Sequence, residues 1–454
     1  MIKSYERESW ASRWGFILAA AGSAIGLGNI WRFPYLAGEN GGAAFLLIYL
    51  VCIILIGYPL MINEMVVGRK THRNPVGAFR ELAPNTPWWL VGSLGVLAGF
   101  TILSFYSIVA GWSLAYIYKT VVGALTPGTD FAGMFVGHIT SLWEPIIWHA
   151  VFMGLTILVV AGGINKGIQR AVQVLMPLLF ILLLVLIGRA LTLPGAGAGL
   201  TFYLAPDFSE ITGRTLLSAV GQAFFSLSLG MGAMITYGSY LRDKDEIAGN
   251  GAAVVGLDTL IAVMGGFAIF PAVFALGYDP AAGPGLTFIT LPAVFAEMSG
   301  GVFFGFLFFT LLAIAALTSA ISLLEVVVAW LVDQHRWPRV RAAVVLGVVI
   351  FLVGLPATLG YNVLSGVTFL GMDLLDTYDF ISGNIMLPLG GLLTAIFVGY
   401  VWGTKNAQAE ANKVAGAFRI GDWWGFLIRY VVPVAIAAIM FFGIYDTIKS
   451  FLAG

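Results

Sequence analysis

The stretch AAGSAIGLGNIWRFP, residues 20–34, lies inside an apolar segment long enough to cross a bilayer, yet it carries three glycines, an asparagine and an arginine. A plain membrane anchor would hold Leu and Val there. GQAFFSLSLGMGA, residues 221–233, repeats the pattern, with glycines and hydroxyl side chains at the middle of a second apolar segment. Both read as helices interrupted at mid-membrane. Glycine and serine also let helices approach closely, and for either helix alone that packing explanation is an even match. Polar residues at both breaks favour interruption, because hydrocarbon holds no water to satisfy a free backbone.

The rest of the chain sets these two segments in a membrane. Of the 454 residues, 59% are hydrophobic and only 10% charged, with a mean hydropathy of +0.93. Soluble domains carry about 25% charged residues, so an ordinary globular enzyme, a disordered chain and a nucleic-acid binder are excluded. The 23 basic and 23 acidic residues balance, the single Cys52 gives no disulfide framework, and four scattered His give no zinc spacing. The start, MIKSYERESWASR, is charged and lacks an A-x-A-like cleavage site, so no removable signal peptide is expected.

A span needs about 20 apolar residues. Eleven candidates fall near 13–37, 42–68, 88–120, 143–162, 168–193, 214–241, 247–277, 303–333, 340–358, 376–402 and 424–452. With the N-terminus inside, 18 of the 23 basic residues sit at inner ends; Arg32, Lys119, Arg189, Arg214 and Lys449 remain outside. The expectation is a cytoplasmic N-terminal segment (1–12), a first five-helix repeat (13–193), an extracellular loop (194–213), a second repeat (214–402), a cytoplasmic loop (403–423) and an eleventh helix (424–454) ending outside. Five is odd, so the second repeat starts from the opposite face and the halves are inverted. Broken helices at matching places in inverted halves point to a midplane binding site in a secondary transporter.

GSAIGLGNIWRFPYLAGENGGAAFLLIY (22–49) resembles the first two helices of the neurotransmitter:sodium symporter family. FYSIVAGW (105–112), GQAFFSLSLGMG (221–232), ALTSAIS (316–322) and DFISG (379–383) are similar to its third, sixth, eighth and tenth helices. The likeness covers nearly the whole chain and is strongest to bacterial eleven-helix, sodium-coupled transporters of hydrophobic amino acids. It implies an all-α membrane protein, not an enzyme, in a bacterial inner membrane, acting as a monomer or weak dimer on a small amino acid, with sodium ions and the lipid bilayer as its other partners.

The resemblance also implies residue roles. A first sodium site would use the Ala24 carbonyl, Asn29, Ser226 and Asp258, completed by the substrate carboxylate. A second would use the Gly22, Ile25 and Ala315 carbonyls with the Thr318 and Ser319 hydroxyls; sodium is a hard cation that takes oxygen ligands. Many relatives have Asn where this chain has Asp258, and one turn later a chloride-binding Ser where it has Ala262. The carboxylate would supply that missing negative charge, so chloride independence is expected. Proton coupling through Asp258 is the alternative.

Family members that carry monoamines have Asp at the position of Gly26; glycine there leaves room for a substrate carboxylate at the N–H groups of Leu27 and Gly28 and the Tyr106 hydroxyl. The amine would meet carbonyls around Ala24, Phe225 and Ser228. Ile102, Tyr106, Phe225, Ser228, Met231, Ser319 and Leu323 would line an uncharged side-chain pocket, with Ser226 beside it. That lining suits aliphatic and aromatic side chains and leaves a buried charge unpaired. Arg32 and Asp379 match an outer ion pair, with Gln222, Tyr106 and Phe225. Arg7 and Asp333 match an inner pair, with Trp10 and Tyr240. Gly167 and Pro177, nine residues between them, match a release hinge in helix five.

Overall fold

The computed structural model describes residues 8–281, 283, 285–416 and 419–453. In chain order its principal helices are α1 (Arg13–Ala24), α2 (Gly28–Glu39), α3 (Ala43–Thr71), α4 (Pro75–Leu82), α5 (Trp89–Val121) and α6 (Phe131–Thr140). They continue with α7 (Glu144–Ala161), α8 (Ile164–Leu191), α9 (Ala196–Leu204), α10 (Gly213–Ser226), α11 (Ala233–Gly238) and α12 (Ala248–Ala275). The last are α13 (Leu286–Glu297), α14 (Gly301–His335), α15 (Arg339–Leu359), α16 (Leu374–Ala411) and α17 (Asp422–Lys449). Among the described residues, 9 helices are long and apolar enough to cross a membrane, and α1 with α2, bent by 50° at their break, makes a tenth. α10 and α11 are individually too short for that test.

The two breaks fall where the glycines lie. α1 begins on a Ser12 cap, whose hydroxyl accepts the Gly15 N–H at 3.0 Å, and ends when Ile25 turns extended (φ −75°, ψ 104°). α10 opens with a reciprocal Thr212–Thr215 cap and stops at Ser226. Between α10 and α11 the chain enters the left-handed region at Ser228, Gly230 and Gly232. At Gly230 a Cβ would also fall 2.2 Å from the Leu387 carbonyl oxygen, so only glycine fits this close crossing.

α14 is the axis of the molecule: 94% of its apolar window is buried, and it packs most extensively on α5. Its 35 residues rise about 50 Å, well beyond a hydrocarbon core of about 30 Å, so it tilts or projects. α17, with 17% of its window buried, is peripheral. Two stretches expected as loops are partly helical. Within 194–213, α9 packs on α12 through the fully buried Tyr203, whose hydroxyl donates to the Val263 carbonyl at 3.1 Å. Within 403–423, Thr404–Ala411 continues α16, because the good helix former Glu410 is anchored there by Arg69.

That anchor closes the base of the bundle. Arg69 is fully buried at the end of α3; its Nε donates to Glu410 Oε1 at 2.8 Å, one Nη to the Asp245 carbonyl at 2.6 Å and the other to the Glu410 carbonyl. Arg69→Met leaves Glu410 with only the half-exposed Lys70, 3.9 Å away, at a cost of about 3 kcal/mol, and should lower the thermal unfolding midpoint in detergent. The double variant Arg69→Met/Glu410→Leu is expected to regain most of that loss, since both charges are then gone.

Candidate functional site

The helix breaks meet at the centre of the bundle. Gly26 N–H donates to Asn29 Oδ1 at 3.0 Å and Leu27 N–H to the Tyr106 hydroxyl at 3.1 Å, so side chains replace the lost helical partners. Ser23, Ala24, Gly26, Gly28, Ile102, Tyr106, Phe225, Ser228, Met231, Ser319 and Leu323 line one small cavity, of about 20 Å³. Every predicted pocket residue is among them except Leu27 and Ser226. Leu27 faces a second cavity above, and Ser226 turns to Asp258. Ser23 was not expected. A Cβ on Gly26 would lie 2.4 Å from Ser319 Oγ and 2.8 Å from the Tyr106 hydroxyl, so any side chain there would fill the cavity.

Beside the cavity, Asp258 is fully buried in α12. Its carboxylate accepts from Asn29 Nδ2 at 2.7 Å and from the Ser226 hydroxyl at 3.0 Å to each oxygen, and the Tyr49 hydroxyl lies alongside. Asn29 thus touches both the first break and Asp258. Ala262, also fully buried, offers no hydroxyl one turn further on.

A second oxygen cluster joins α1 to α14. Thr318 Oγ1 lies 3.0 Å from the Ala315 carbonyl and 3.3 Å from that of Ile25; Ser319 Oγ lies 3.0, 3.3 and 3.5 Å from the Ser23, Ile25 and Gly22 carbonyls. Oxygens from two helices converge here without a carboxylate, and among the described residues no group of three or more His, Cys, Asp or Glu could hold a metal ion. The cluster suits a hard monovalent cation.

On one side, Arg32, Asp376 and Asp379 with Trp31, Tyr35, Phe105, Trp112 and Phe288 line a vestibule of about 290 Å³ that reaches down to Tyr106 and Phe225. Arg32 and Asp379 share this cavity but form no ion pair within 4.0 Å; the guanidinium instead lies over the Phe225 ring, 4.7 Å from its centroid, and Asp379 is exposed. The expected outer pair is therefore parted, its two charges held by an aromatic face and by solvent. Gln222 does not join it: Nε2 donates to the Gly28 carbonyl at 2.8 Å and braces the first break.

The opposite side is closed. Trp10 is 1% exposed; its indole N–H donates to the Tyr237 carbonyl at 3.0 Å, and its ring meets those of Phe16, Tyr237 and Tyr240. Asp333 Oδ2 accepts from Asn74 N and Nδ2 at 3.0 and 3.1 Å, and Arg7 lies outside the described residues. Gly167 falls in a wide turn, Ile164–Gln169, that opens α8, and Pro177 lies within the same helix.

The sodium:neurotransmitter symporter family model matches residues 7–129 and 140–451. The chain belongs to this family. An uncharacterized sodium-dependent transporter of Bacillus subtilis is 43% identical over 430 residues, covering 94% of this chain and 95% of that protein. One from Haemophilus influenzae is 40% identical, covering 96% and 97%. The crystal structure of MhsT in complex with L-phenylalanine superposes with a TM-score of 0.88 at 48% identity, covering 96% of this chain and 99% of that one. The protein is thus a sodium-dependent membrane symporter of a small molecule, with transporters rather than enzymes as its relatives.

Three groups of the symporter escape a reading of sequence alone. Glu325, fully buried in α14, accepts the Tyr240 hydroxyl at 2.6 Å and pairs with Arg339 of α15, tying the closed side together. Glu64 of α3, also fully buried, accepts the Gly230 N–H at 2.7 Å and so holds the second break. Each is an acidic residue inside an apolar run, LLEVVV and INEMVV, and that alone is a signal. Tyr49 carries none, since a tyrosine in an apolar helix reads as core.

The asymmetry of the two sides is measurable by cysteine labelling, because the single Cys52 is buried at 4% exposure. With a membrane-impermeant thiol reagent, Asp376→Cys on the vestibule should react readily. Tyr237→Cys, at a 1%-exposed position that packs on the Trp10 ring, should react at least about tenfold more slowly, as for a site reached only from a minor state. Adding Trp10→Ala should speed the Tyr237→Cys reaction alone.

Proposed function

We propose that the protein imports hydrophobic L-amino acids, aliphatic and aromatic, by sodium-coupled alternating access without chloride. The observation that carries this reading is the contact between an uncharged cavity and the Asp258 cluster through one residue, Asn29, whose amide holds both Gly26 and Asp258. The Gly28 N–H at the start of α2, with the Leu27 N–H that the Tyr106 hydroxyl accepts here, favours a substrate carboxylate, since donors at a half-helix N-terminus suit anions. The steric bar at Gly26 keeps an acidic side chain, and with it a monoamine partner, out of the cavity. MhsT, a relative crystallised with L-phenylalanine, supports the substrate class.

In this reading one sodium sits among Ala24, Asn29, Ser226 and Asp258 with the substrate carboxylate as a further ligand, and a second among Gly22, Ile25, Ala315, Thr318 and Ser319. A cation that touches the substrate makes each ligand improve the other's site, which is the thermodynamic content of coupling. Asp258 supplies fixed negative charge where Ala262 offers no hydroxyl to an anion. Sodium favours the parted Arg32–Asp379 arrangement, substrate draws Phe225 and Tyr106 over the cavity, and withdrawal of Trp10 then opens the other side. Gly167 and Pro177 delimit the part of α8 that yields. The architecture is eleven spans, with α1–α2 and α10–α11 as the first helices of two inverted five-helix repeats. The distribution of basic residues supports a cytoplasmic N-terminus, and the likeness to bacterial transporters supports a bacterial inner membrane.

Uptake of labelled leucine and tryptophan into proteoliposomes tests this directly. An inward sodium gradient should drive both; choline in place of sodium should abolish uptake, and gluconate in place of chloride should leave it unchanged. Uptake that ignores choline and follows a pH gradient would instead assign coupling to a proton on Asp258. Thr318→Ala with Ser319→Ala should raise the sodium concentration for half-maximal uptake about tenfold or more, the equivalent of about 1.4 kcal/mol of ion binding. Asp258→Asn should retain transport only when chloride is present, or lose it.

A further inference from the structure

A separate opening lies at the end of α16 remote from the vestibule. α16 starts with Asp376 and Asp379 at the vestibule and runs 38 residues to Ala411, where it meets the first turns of α17. Between these helix ends is an open cleft of about 440 Å³, whose lining includes Lys405, Gln408, Asp422, Phe426, Arg429 and Tyr430. Both helices widen here, α16 over Phe397–Gly403 and α17 over Leu427–Val431. Wide turns free backbone groups, and the two helices trade them across the seam. Arg429 Nε donates to the Gly399 carbonyl at 2.9 Å, and the Tyr400 hydroxyl donates to the Arg429 carbonyl at 2.8 Å.

The seam fixes the Arg429 guanidinium, which also faces the Tyr400 ring 6.0 Å from its centroid, but it uses only the Nε donor. Among the described residues, Arg429, Lys405 and Asp422 form no ion pair, and both Nη groups of Arg429 are left without a partner. Other charges on this face are matched: Arg69 and Lys70 meet Glu410, and Lys413 meets Asp243. Two cations and one carboxylate therefore line a single cleft without compensating one another.

The cleft sits where a bilayer places its headgroups. Two spans end there, and the exposed rings of Tyr400, Trp423, Phe426 and Tyr430 form the aromatic fringe typical of that level. Val401 and Val434, both exposed, continue the surface toward hydrocarbon. Fixed arginine and lysine donors suit a lipid phosphate. Asp422 in the same cleft repels a headgroup that is only anionic and accepts from one that also carries an ammonium.

We propose that this cleft binds the headgroup of a zwitterionic phospholipid with a primary ammonium, phosphatidylethanolamine. Its phosphate lies between Arg429 and Lys405. Its ammonium donates to Asp422 and to Gln408 Oε1, whose amide is oriented by the Nε2 donation to the Gly421 carbonyl at 2.9 Å. The lipid bridges the ends of α16 and α17 and fastens α17, the helix that the bundle buries least. Neither the substrate nor the ion sites enter this inference.

Native mass spectrometry of the delipidated full-length protein tests it, by titration with phosphatidylethanolamine, phosphatidylglycerol and phosphatidylcholine of identical acyl chains. Phosphatidylethanolamine should bind at least about tenfold more tightly than phosphatidylcholine, whose quaternary ammonium has no N–H to donate, and more tightly than phosphatidylglycerol. Lys405→Gln, exposed and outside the seam, should weaken phosphatidylethanolamine about tenfold. Arg429→Gln should weaken it further, but it also removes the bond to Gly399, so Lys405→Gln carries the test if that variant folds poorly. Asp422→Asn should erase the preference for phosphatidylethanolamine over phosphatidylglycerol. Equal binding of the three lipids by the parent would overturn the proposal, as would unchanged phosphatidylethanolamine binding in Lys405→Gln. Tighter binding of phosphatidylglycerol would reject the ammonium contact with Asp422 and overturn it too. Displacement of the lipid by an equal concentration of soluble phosphoethanolamine would make the occupant a free phosphate compound and reject a lipid.

Discussion

Interrupting a helix inside hydrocarbon frees backbone N–H and carbonyl groups that water is not there to satisfy, and the central architecture answers that one constraint. Asn29 takes the Gly26 N–H, Tyr106 the Leu27 N–H, Gln222 donates to the Gly28 carbonyl, and Glu64 takes the Gly230 N–H. Asn29 acts locally, three residues from Gly26, but Tyr106, Gln222 and Glu64 each arrive from a different helix, so the breaks are held largely by tertiary structure. The remaining carbonyls, at Gly22, Ser23 and Ile25, are met by Thr318 and Ser319 hydroxyls that a cation can replace. A binding site is what remains when some of the freed groups are satisfied by fixed side chains and others by exchangeable ones.

The same accounting explains why the cavity and the oxygen clusters are hard to separate. Ser319 lines the cavity and reaches three carbonyls of α1; Ser228 lines it and donates to the Ser23 carbonyl at 2.8 Å; Asn29 links Gly26 to Asp258. Moving α1 or the α10–α11 break by even an ångström changes several of these contacts together. Coupling then needs no long pathway, because the ion-facing and cavity-facing groups are neighbours on the same residues.

Much of this was legible in the chain. Glycines and hydroxyls at 20–34 and 221–233 disclosed both breaks, and an acidic residue at 258 inside an apolar run marked a costly, purposeful group. Thr318 and Ser319 were legible only through family resemblance, since hydroxyls in buried helices commonly bond back to the preceding turn, as Thr318 does here to Ala315. Pairings across hundreds of residues were not legible: nothing local ties Arg69 to Glu410, or Tyr240 to Glu325 and Arg339. The helix Ala196–Leu204 escaped because a search for spans of about 20 apolar residues passes over a nine-residue helix that lies against the bundle. The Arg32–Asp379 match placed two charges in one vestibule, whereas their separation is a property of the conformation, on which sequence is silent.

Buried carboxylates show how the two sides differ in kind. Glu64 and Asp258 both accept hydrogen bonds from groups at the helix breaks, and Glu325 accepts from Tyr240 and pairs with the Arg339 cation. An ionised group in the membrane is expensive unless such partners surround it, so each carboxylate ties its helix to whatever supplies those partners. Glu325 therefore resists separation of Tyr240 from α14, and with it the departure of Trp10, whose ring rests on Tyr240. No comparable buried tie joins Arg32 to Asp379, whose charges both line the vestibule. Opening the Trp10 side therefore requires exchanging a buried network for water, a requirement that the parted Arg32 and Asp379 do not impose on the vestibule side.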